Sequence, residues 1–594
     1  MEINNLSMNE KIWRVKKPRN TEKSTQLAQS LGVSPFISQL LVNNGIESFE
    51  AAKAYFRPSL DDLHDPLLMK DMAKAVKRVL NAVHLAQKIM VYGDYDVDGT
   101  TSVSMMYSFL RSLEVPCIYY IPDRYKEGYG VSEAGILSAA EQGCKLIITL
   151  DCGIKAHDRV DQASELGIDV IVCDHHKADL KLPAAYAVLD PQRSDCTYPC
   201  KALSGCGVGF KLIHGIVEDQ GMDYEILFQY LDLVAISIGA DIVPITGENR
   251  ILAAHGLKRL QVEQRPGIES LFASAKFNKK TITISDLVFI LAPRINAAGR
   301  IQSATTAVEL LISNSREEAD KISETIEGYN TDRKEKDKET TVAAMQAMSI
   351  DPWYTASWSS TVKGSGWHKG VIGIVASRLI ETYYKPTIVL TESKGMLVGS
   401  ARSIEGLDIH QALEQCSHLL EQFGGHAMAA GMTMKIEKFE AFRMKFDEAV
   451  RSLITEEMLI PVIEIDQALA FDDITTRSYK ILRQFAPFGP GNMKPIFLSR
   501  KCVDTSGSRT VGADHTHLKL EVKQEHGMRA MQGIGFKLGK HITWLKTKNP
   551  VDLVYTLEEN EWRDKVSLQL QVQDMKKHQE PVVESKIELA ENPT

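Results

Sequence analysis

From residue 88 the hydrophobic pattern of the chain alternates between two periods. Short, continuously apolar runs, KIMVYG (88–93), CIYYIP (117–122), KLIITL (145–150) and DVIVC (169–173), are separated by stretches whose apolar residues recur every three or four positions: TTSVSMMYSFLRSL, SEAGILSAAEQG and AHDRVDQASELG. An apolar run this short, with no polar alternation, predicts a strand covered on both faces. Such strands alternating with helices predict βαβ units and a parallel sheet.

Further along, Ala319, Ile322 and Ile326, then Val342, Met345 and Met348, fall at helical spacing on either side of NTDRKEKDKETT. A long helix linking two domains fits this pattern, as does a charged surface helix packed on one domain only. A second, glycine-rich α/β region follows. Near the end Val566, Leu568, Leu570 and Val572 alternate with Ser567, Gln569, Gln571 and Gln573, a period of two. With HLKLEV, RAMQGIGF and VDLVYTL upstream, this predicts a small antiparallel barrel or sandwich, for which an OB-fold is a natural candidate.

The expected fold class is therefore multidomain α/β with a C-terminal β-barrel. Its expected parts are a helical extension of the first domain (1–80), a parallel-sheet domain (81–315), a connecting helix (316–351), a second α/β domain (352–455), the β-barrel (456–577) and a polar tail (578–594). A chain of 594 residues is too long for one core, which agrees with this division. No window approaches an uninterrupted membrane-spanning apolar run, and MEINNLSMNEK lacks the apolar region of a signal peptide, so a cytoplasmic protein away from membranes is expected. Nine scattered cysteines fit a reducing compartment, and Cys196, Cys200 and Cys206 match no common zinc spacing. A net charge of −8 excludes a surface that is basic all over, so a nucleic-acid partner would need a locally basic groove.

Chemistry concentrates where the strands end. KIMVYG runs into Asp94, Asp96 and Asp98, KLIITL into Asp151, DVIVC into Asp174, His175 and His176, and a later apolar run, LVAISIGA, into Asp241. Like charges this close need a cation among them. A calcium loop does not fit, because its twelfth position would be Met105 and an apolar run precedes it. An aspartate after a strand is often only a cap or a turn, but four segments delivering acids and imidazoles to one sheet rim predict a site. Asp-rich donors with one or two His and no Cys suit manganese or magnesium, and two ions could clamp a phosphoester for hydrolysis.

DYDVDG, DCG, DHH and GADIVP resemble the four motifs of the DHH phosphoesterase superfamily. RINAAGR (294–300), WHKGVIGIVASRL (367–379), GSARS (399–403) and FGGHAMAAG (423–431) resemble its accessory DHHA1 domain. FAPFGPGN (485–492), with the β-rich sequence after it, resembles the start of the OB-fold in the superfamily's bacterial single-strand-specific exonucleases. The resemblance spans roughly residues 40–575 and implies an enzyme that removes mononucleotides from the 5′ end of single-stranded DNA with Mn2+ or Mg2+, in recombination and mismatch repair.

Carried over to this chain, the resemblance implies Asp94, Asp96, Asp98, Asp151, His175 and Asp241 as ligands of two ions, with Asp151 bridging and, with His176, catalytic. Asp174 would orient a ligand from behind. Substrate contacts would come from Arg124, Ser400, Arg402 and His426, and from Arg294, Asn296 and Arg300. A guanidinium matches a phosphate in two-point geometry. The expected partners are single-stranded DNA, a helicase and the single-strand DNA-binding protein, with the enzyme acting as a monomer. Ala401 stands where many relatives have glycine, and Met493 and Lys494 also depart from the family pattern, away from the chemistry. The rivals are a DHH phosphodiesterase for very short oligonucleotides, cyclic dinucleotides or pyrophosphate, and a non-catalytic DNA-binding scaffold. The filled ligand positions argue against the scaffold.

Overall fold

A computed structural model describes residues 11–562 and 565–579. The expected tail beyond Gln579 lies outside the described residues. The chain forms two compact units: Pro58–Pro461 with Pro487–Asn492, and Ile12–Arg57 with Val462–Ala486 and the chain from Met493 onward.

The first unit begins with the predicted parallel sheet. Its strands β1 (Ile89–Gly93), β2 (Cys117–Tyr120), β3 (Leu146–Leu150), β4 (Asp169–Cys173) and β5 (Ala187–Leu189) lie in the order β2-β1-β3-β4-β5, and every pairing is parallel. All residues of β1 and β3 are buried, as their unbroken apolar runs require. Helix α1 (Val97–Ser112) follows β1 and is buried although it opens with polar residues. Its hydroxyls are satisfied within the helix: Thr101 donates to the Val97 carbonyl at 2.7 Å, Ser102 to Asp98 at 2.6 Å and Ser104 to Thr100 at 2.7 Å.

Two helices complete the floor behind the sheet rim, α2 (Gly205–Asp219) and α3 (Leu231–Ala240). Helix α3 contains LVAISIGA, which reads as one more strand-like run but is helical. A helix buried on every side has no polar face, so its apolar run carries no periodicity to distinguish it. RINAAGR lies on α4 (Ala292–Ile301), which follows a π-turn at Leu287–Leu291.

The connector is one 35-residue helix, α5 (Arg316–Ile350). Ala319 and Ile326 enter the core of the parallel-sheet domain, while Ala344 and Met348 enter a core formed with the next domain. That domain has a five-stranded sheet, β6 (Ser360–Gly364), β7 (Thr387–Ser393), β8 (Met396–Arg402), β9 (Gln422–His426) and β10 (Ala429–Lys435), in the order β9-β10-β8-β7-β6. Only β6 and β7 pair in parallel. Helix α6 (Ile372–Tyr383) packs on it.

In the second unit, Phe497–Asp504, Val551–Trp562, Lys565–Lys577, Ala530–Gly535 and His517–Gln524 pair in that order, and Cys502↔Gln524 closes the ring into a barrel. One pairing departs from the antiparallel expectation: Ala530–Gly535 runs parallel to Lys565–Lys577. Leu570 and Val572 face inward as predicted, but Val566, beside the hairpin tip, is exposed. Residues Ile12–Arg57 pack in this unit and are not an extension of the parallel-sheet domain. Ile12–Val15 pairs with Val462–Ile465, and the Phe36 and Phe497 rings meet edge to face at 6.2 Å. The partner strand lies 450 residues downstream, beyond the reach of local periodicity. Among the described residues no helix is long and apolar enough to cross a membrane. All nine cysteines are free thiols.

Candidate functional site

The carboxyl ends of β1, β3 and β4 and the end of α3 converge, bringing Asp94, Asp96, Asp98, Asp151, His175, His176 and Asp241 together. Three overlapping sets have ligand atoms within 4.8 Å of one another: Asp94, Asp96 and Asp151; Asp98, His175 and Asp241; Asp151, His175 and His176. The His175 Nε2 atom lies 3.2 Å from Asp151, 3.6 Å from Asp241 and 3.8 Å from Asp98.

Local structure fixes each group. Asp96 caps α1, accepting from the Gly99 amide at 3.1 Å. Gly99 is required there, since a Cβ would lie 2.3 Å from the Asp94 carbonyl oxygen. Asp98 accepts from the Gly205 and Cys206 amides at 2.7 and 2.8 Å and from the Ser237 hydroxyl at 2.7 Å, which ties α1 to α2 and α3. Asp151 holds a left-handed backbone, φ 60°, with its amide donating to the Cys173 carbonyl at 2.9 Å. His175 is oriented by a 3.0 Å hydrogen bond from Nδ1 to the Leu203 carbonyl, which leaves Nε2 as its acceptor. Asp174 accepts from the amides of Ile154 (2.9 Å), His175 (2.7 Å) and His176 (3.2 Å) and pairs with His176 Nδ1 at 2.7 Å. It thus holds the DHH segment from behind.

The electrostatics are those of a site short of positive charge. Burial, then neighbouring carboxylates, push the Asp94 and Asp151 carboxyls well above the ordinary range and Asp241 up to about 8. Burial opposes a charge on Asp174, yet hydrogen bonding from His176 and the Ile154 amide holds it below the ordinary value. Burial likewise opposes protonation of His176, but Asp174 and the surrounding acids outweigh it and raise that imidazole to about 9. Asp94 Oδ1 and His175 Nε2 are buried without a hydrogen-bond partner. An acceptor nitrogen and a carboxylate oxygen left this way, amid oxygen donors and with no thiolate, fit a hard divalent cation.

Beside this cluster lies a group of guanidiniums. Arg124 stacks over the Tyr95 ring at 4.8 Å, and Arg300 donates to the Gly370 carbonyl at 3.0 Å. Arg402 donates to Ser400 Oγ at 2.9 Å and to the Ala401 carbonyl at 2.7 Å. Among the described residues no carboxylate lies within ion-pair distance of these three. Burial and the like charges of Arg124, Arg333 and Arg402 lower Arg300 to about 10. Such a group is balanced by an anion with several oxygens. Asn296 stands four residues before Arg300 on the same face of α4. Arg294 turns elsewhere and pairs with Glu327 of α5 at 2.6 Å, so its position in RINAAGR does not bring it to the site.

His426 stacks against His176 with ring centroids 6.2 Å apart, across a cavity of about 790 Å3 that also reaches Tyr129, Lys155 and Phe423. Sequence reasoning missed Tyr129, whose hydroxyl lies 3.2 Å from His176 Nε2, and Tyr95, the platform under Arg124. An aromatic flanked by glycines in EGYG was the available signal for Tyr129. It also missed Ser237, a lone hydroxyl inside the apolar α3.

Comparison with known proteins places these features. Residues 88–238 match the DHH family N-terminal domain, 354–452 the DHHA1 domain and 465–574 the RecJ OB domain. The chain is 37% identical over 564 residues to the single-stranded-DNA-specific exonuclease RecJ of Bacillus subtilis, covering 95% of this chain and 70% of that protein. It is 34% identical to the protein of the same name from Dickeya dadantii, covering 94% and 98%. The crystal structure of RecJ in complex with Mn2+ from Thermus thermophilus superposes with a TM-score of 0.82 at 26% identity, covering 96% of this chain and 80% of that one.

Proposed function

The chain belongs to the RecJ family of single-stranded-DNA-specific exonucleases, and on that footing we propose that it hydrolyses single-stranded DNA from the 5′ end to mononucleotides with Mn2+ or Mg2+. The observation that carries the reading is the partnerless pair Asp94 Oδ1 and His175 Nε2, buried among acids from four segments beside the guanidinium group. Asp94, Asp96, Asp98, Asp151, His175 and Asp241 would hold the metal ions. Such ions, when bound, neutralise the acids and the scissile phosphate and supply a water deprotonated near neutral pH.

The chain's own residues set polarity and proton flow. Arg402 with Ser400, Arg124 and Arg300 grips the terminal 5′-phosphate, and Asn296 and His426 line its approach. Arg294 acts on this surface only indirectly, by fixing α4 against α5 through Glu327. Water oxygen bonds to phosphorus, the P–O3′ bond breaks, and the departing O3′ takes a proton from His176, which Asp174 aligns through its bond to Nδ1. The phosphate stays on the shortened strand as its new 5′ end, so the same arginines receive it in the next cycle. The cavity between the two α/β domains leads single strands to the cluster, and the C-terminal barrel adds a second single-strand-binding surface. A monomeric cytoplasmic enzyme that works alongside a helicase and the single-strand DNA-binding protein completes the proposal.

The test is digestion of an oligonucleotide labelled at either end, and of its duplex, with Mn2+, Mg2+ or chelator, by wild type and Asp151→Ala. Mononucleotides released from the 5′ end of the single strand only, and lost with chelator or in the variant, are expected. Binding without cleavage under either metal would overturn the proposal, and cleavage confined to pieces of two to five nucleotides would move the enzyme to the short-oligonucleotide class.

A further inference from the structure

Halfway along α5, Arg333 carries a charge with no counter-ion. It stands one turn after Asn330 and one turn before Asp337, both buried, and so shares their inward face. Its Nη2 donates to Asn330 Oδ1 at 2.9 Å, while its Nε is buried with no hydrogen-bond partner. The acids nearest along that side of the helix are taken by other arginines: Glu327 by Arg294 of α4 at 2.6 Å, and Asp337 by Arg378 of α6 at 2.8 Å. Among the described residues no carboxylate lies within ion-pair distance of Arg333. A half-buried guanidinium left this way costs stability unless an anion from outside the fold completes it.

Its surroundings identify the anion. The same two ion pairs fasten α4 and α6 to α5 on either side of Arg333, and those two helices meet where Arg300, near the end of α4, donates to the Gly370 carbonyl at 3.0 Å, two residues before α6. The first turn of α6 in turn abuts the phosphate grip, since a Cβ at Gly373 would stand 2.8 Å from Arg402 Nη2 and 2.9 Å from Ser400 Oγ. Arg333 thus adjoins the guanidinium group from the side of the connecting helix, and its charge is one of those that weigh on Arg300. We propose that Arg333 is a further binding residue for the terminal 5′-phosphate, so that one anion is held by both α/β domains and by the helix that joins them. This rests on the exonuclease reading above. A terminal phosphate carries a second negative charge near neutral pH that internal diesters lack, and it offers an oxygen more for a further guanidinium to receive.

The test compares Arg333→Gln and Arg333→Lys with wild type in the full chain, and Lys334→Gln removes the same charge from the exposed neighbour. Glutamine suits a helix and relieves an unpaired charge, so Arg333→Gln should melt at or above the wild-type temperature and titrate Mn2+ with unchanged affinity. Its KM should rise about tenfold for a 5′-phosphorylated strand and less than about twofold for the 5′-hydroxyl form, with kcat nearly unaltered. Arg333→Lys should fall between, and Lys334→Gln should match wild type on both strands. An unchanged KM for the phosphorylated strand would overturn the proposal, as would an equal rise for both strands, which would place Arg333 on an internal phosphate. If wild type digests no single strand, the exonuclease reading fails, and fluorescence-anisotropy binding of the same two strands decides the proposal. A preference for the phosphorylated end that Arg333→Gln abolishes would then uphold it, and no preference would overturn it.

Discussion

Adding one methyl group at Gly205 should disable the metal cluster while leaving every ligand in the sequence. A Cβ at Gly205 would stand 2.6 Å from the Asp151 Cβ, 2.8 Å from its Cα and 2.9 Å from its Oδ1. Carbon atoms in contact sit at about 3.5–4.0 Å, so roughly 1 Å must be found. Neither neighbour can yield alone. The Gly205 and Cys206 amides grip Asp98, so withdrawing the start of α2 drags one ligand, and moving Asp151 displaces another from its bond to the Cys173 carbonyl. Overpacking of this kind costs about 1–3 kcal/mol of stability, and a 1 Å displacement of reacting groups costs about 100-fold in rate. Gly207→Ala is the control, because its Cβ would meet Leu203 and Ser204 no closer than 3.4 Å. Thermal melts, Mn2+ titration and single-turnover digestion of a 5′-labelled strand would be measured for both. Gly205→Ala within threefold of wild type in rate and Mn2+ affinity would refute the reasoning that these backbones leave no room.

Three further outcomes are expected. Arg402→Lys keeps the charge but loses the two-point grip, so KM should rise about tenfold for a 5′-phosphorylated strand and little for a 5′-hydroxyl one, read by steady-state digestion of the two. Because burial and mutual repulsion raise Asp94, Asp151 and Asp241, the last to about 8, the metal-free cluster holds protons that a cation must displace. Mn2+ affinity should therefore climb from pH 6 to pH 8 with proton release, measured by calorimetry in buffers of different ionisation enthalpy, and a pH-independent affinity would count against it. Burial, then the Lys211 ammonium 2.9 Å away, lowers His214 to about 3, against about 6.5 in the unfolded chain. Its contribution is complete above pH 6.5 and is lost as pH falls from there toward 3, by at most about 1.4 kcal/mol per pH unit, so His214→Asn should flatten the acid side of the stability profile in denaturant melts at pH 7, 6 and 5.

Much of this was legible because the chemistry is carried by short segments at fixed places in a repeating pattern. Unbroken apolar runs announced strands buried on both faces, and an acid at the end of each run pointed to the rim where Asp94, Asp151 and His175 now meet. Legibility failed where a residue's role depends on something distant in sequence. LVAISIGA is helical because its surroundings bury it on every side. Ile12–Val15 belongs with Val462–Ile465 through backbone pairing that leaves no periodic trace. Arg294 and Arg300 share one motif, yet Glu327 on α5 takes the first and leaves the second to the guanidinium group.

The division of hydrogen bonds within the cluster argues for cations over a proton-sharing pair of carboxyls. In an acid–base dyad two carboxyls bond each other and share one proton. Among the described residues no two carboxyls of this cluster are hydrogen-bonded; each faces His175, the cluster's interior or a backbone donor. Asp174 has its oxygens occupied by amide and imidazole donors, which fixes it as a strut, whereas Asp98 is anchored by the Gly205 and Cys206 amides and the Ser237 hydroxyl and still belongs to a ligand set. Asp94 and His175 keep a buried acceptor with nothing to receive, and Asp151 shares a ligand set with each of them. Two buried acceptors left open among acids call for positive charge in place of shared protons, and Asp151, which holds a left-handed backbone at the end of β3, lies within ligand distance of the groups that carry both.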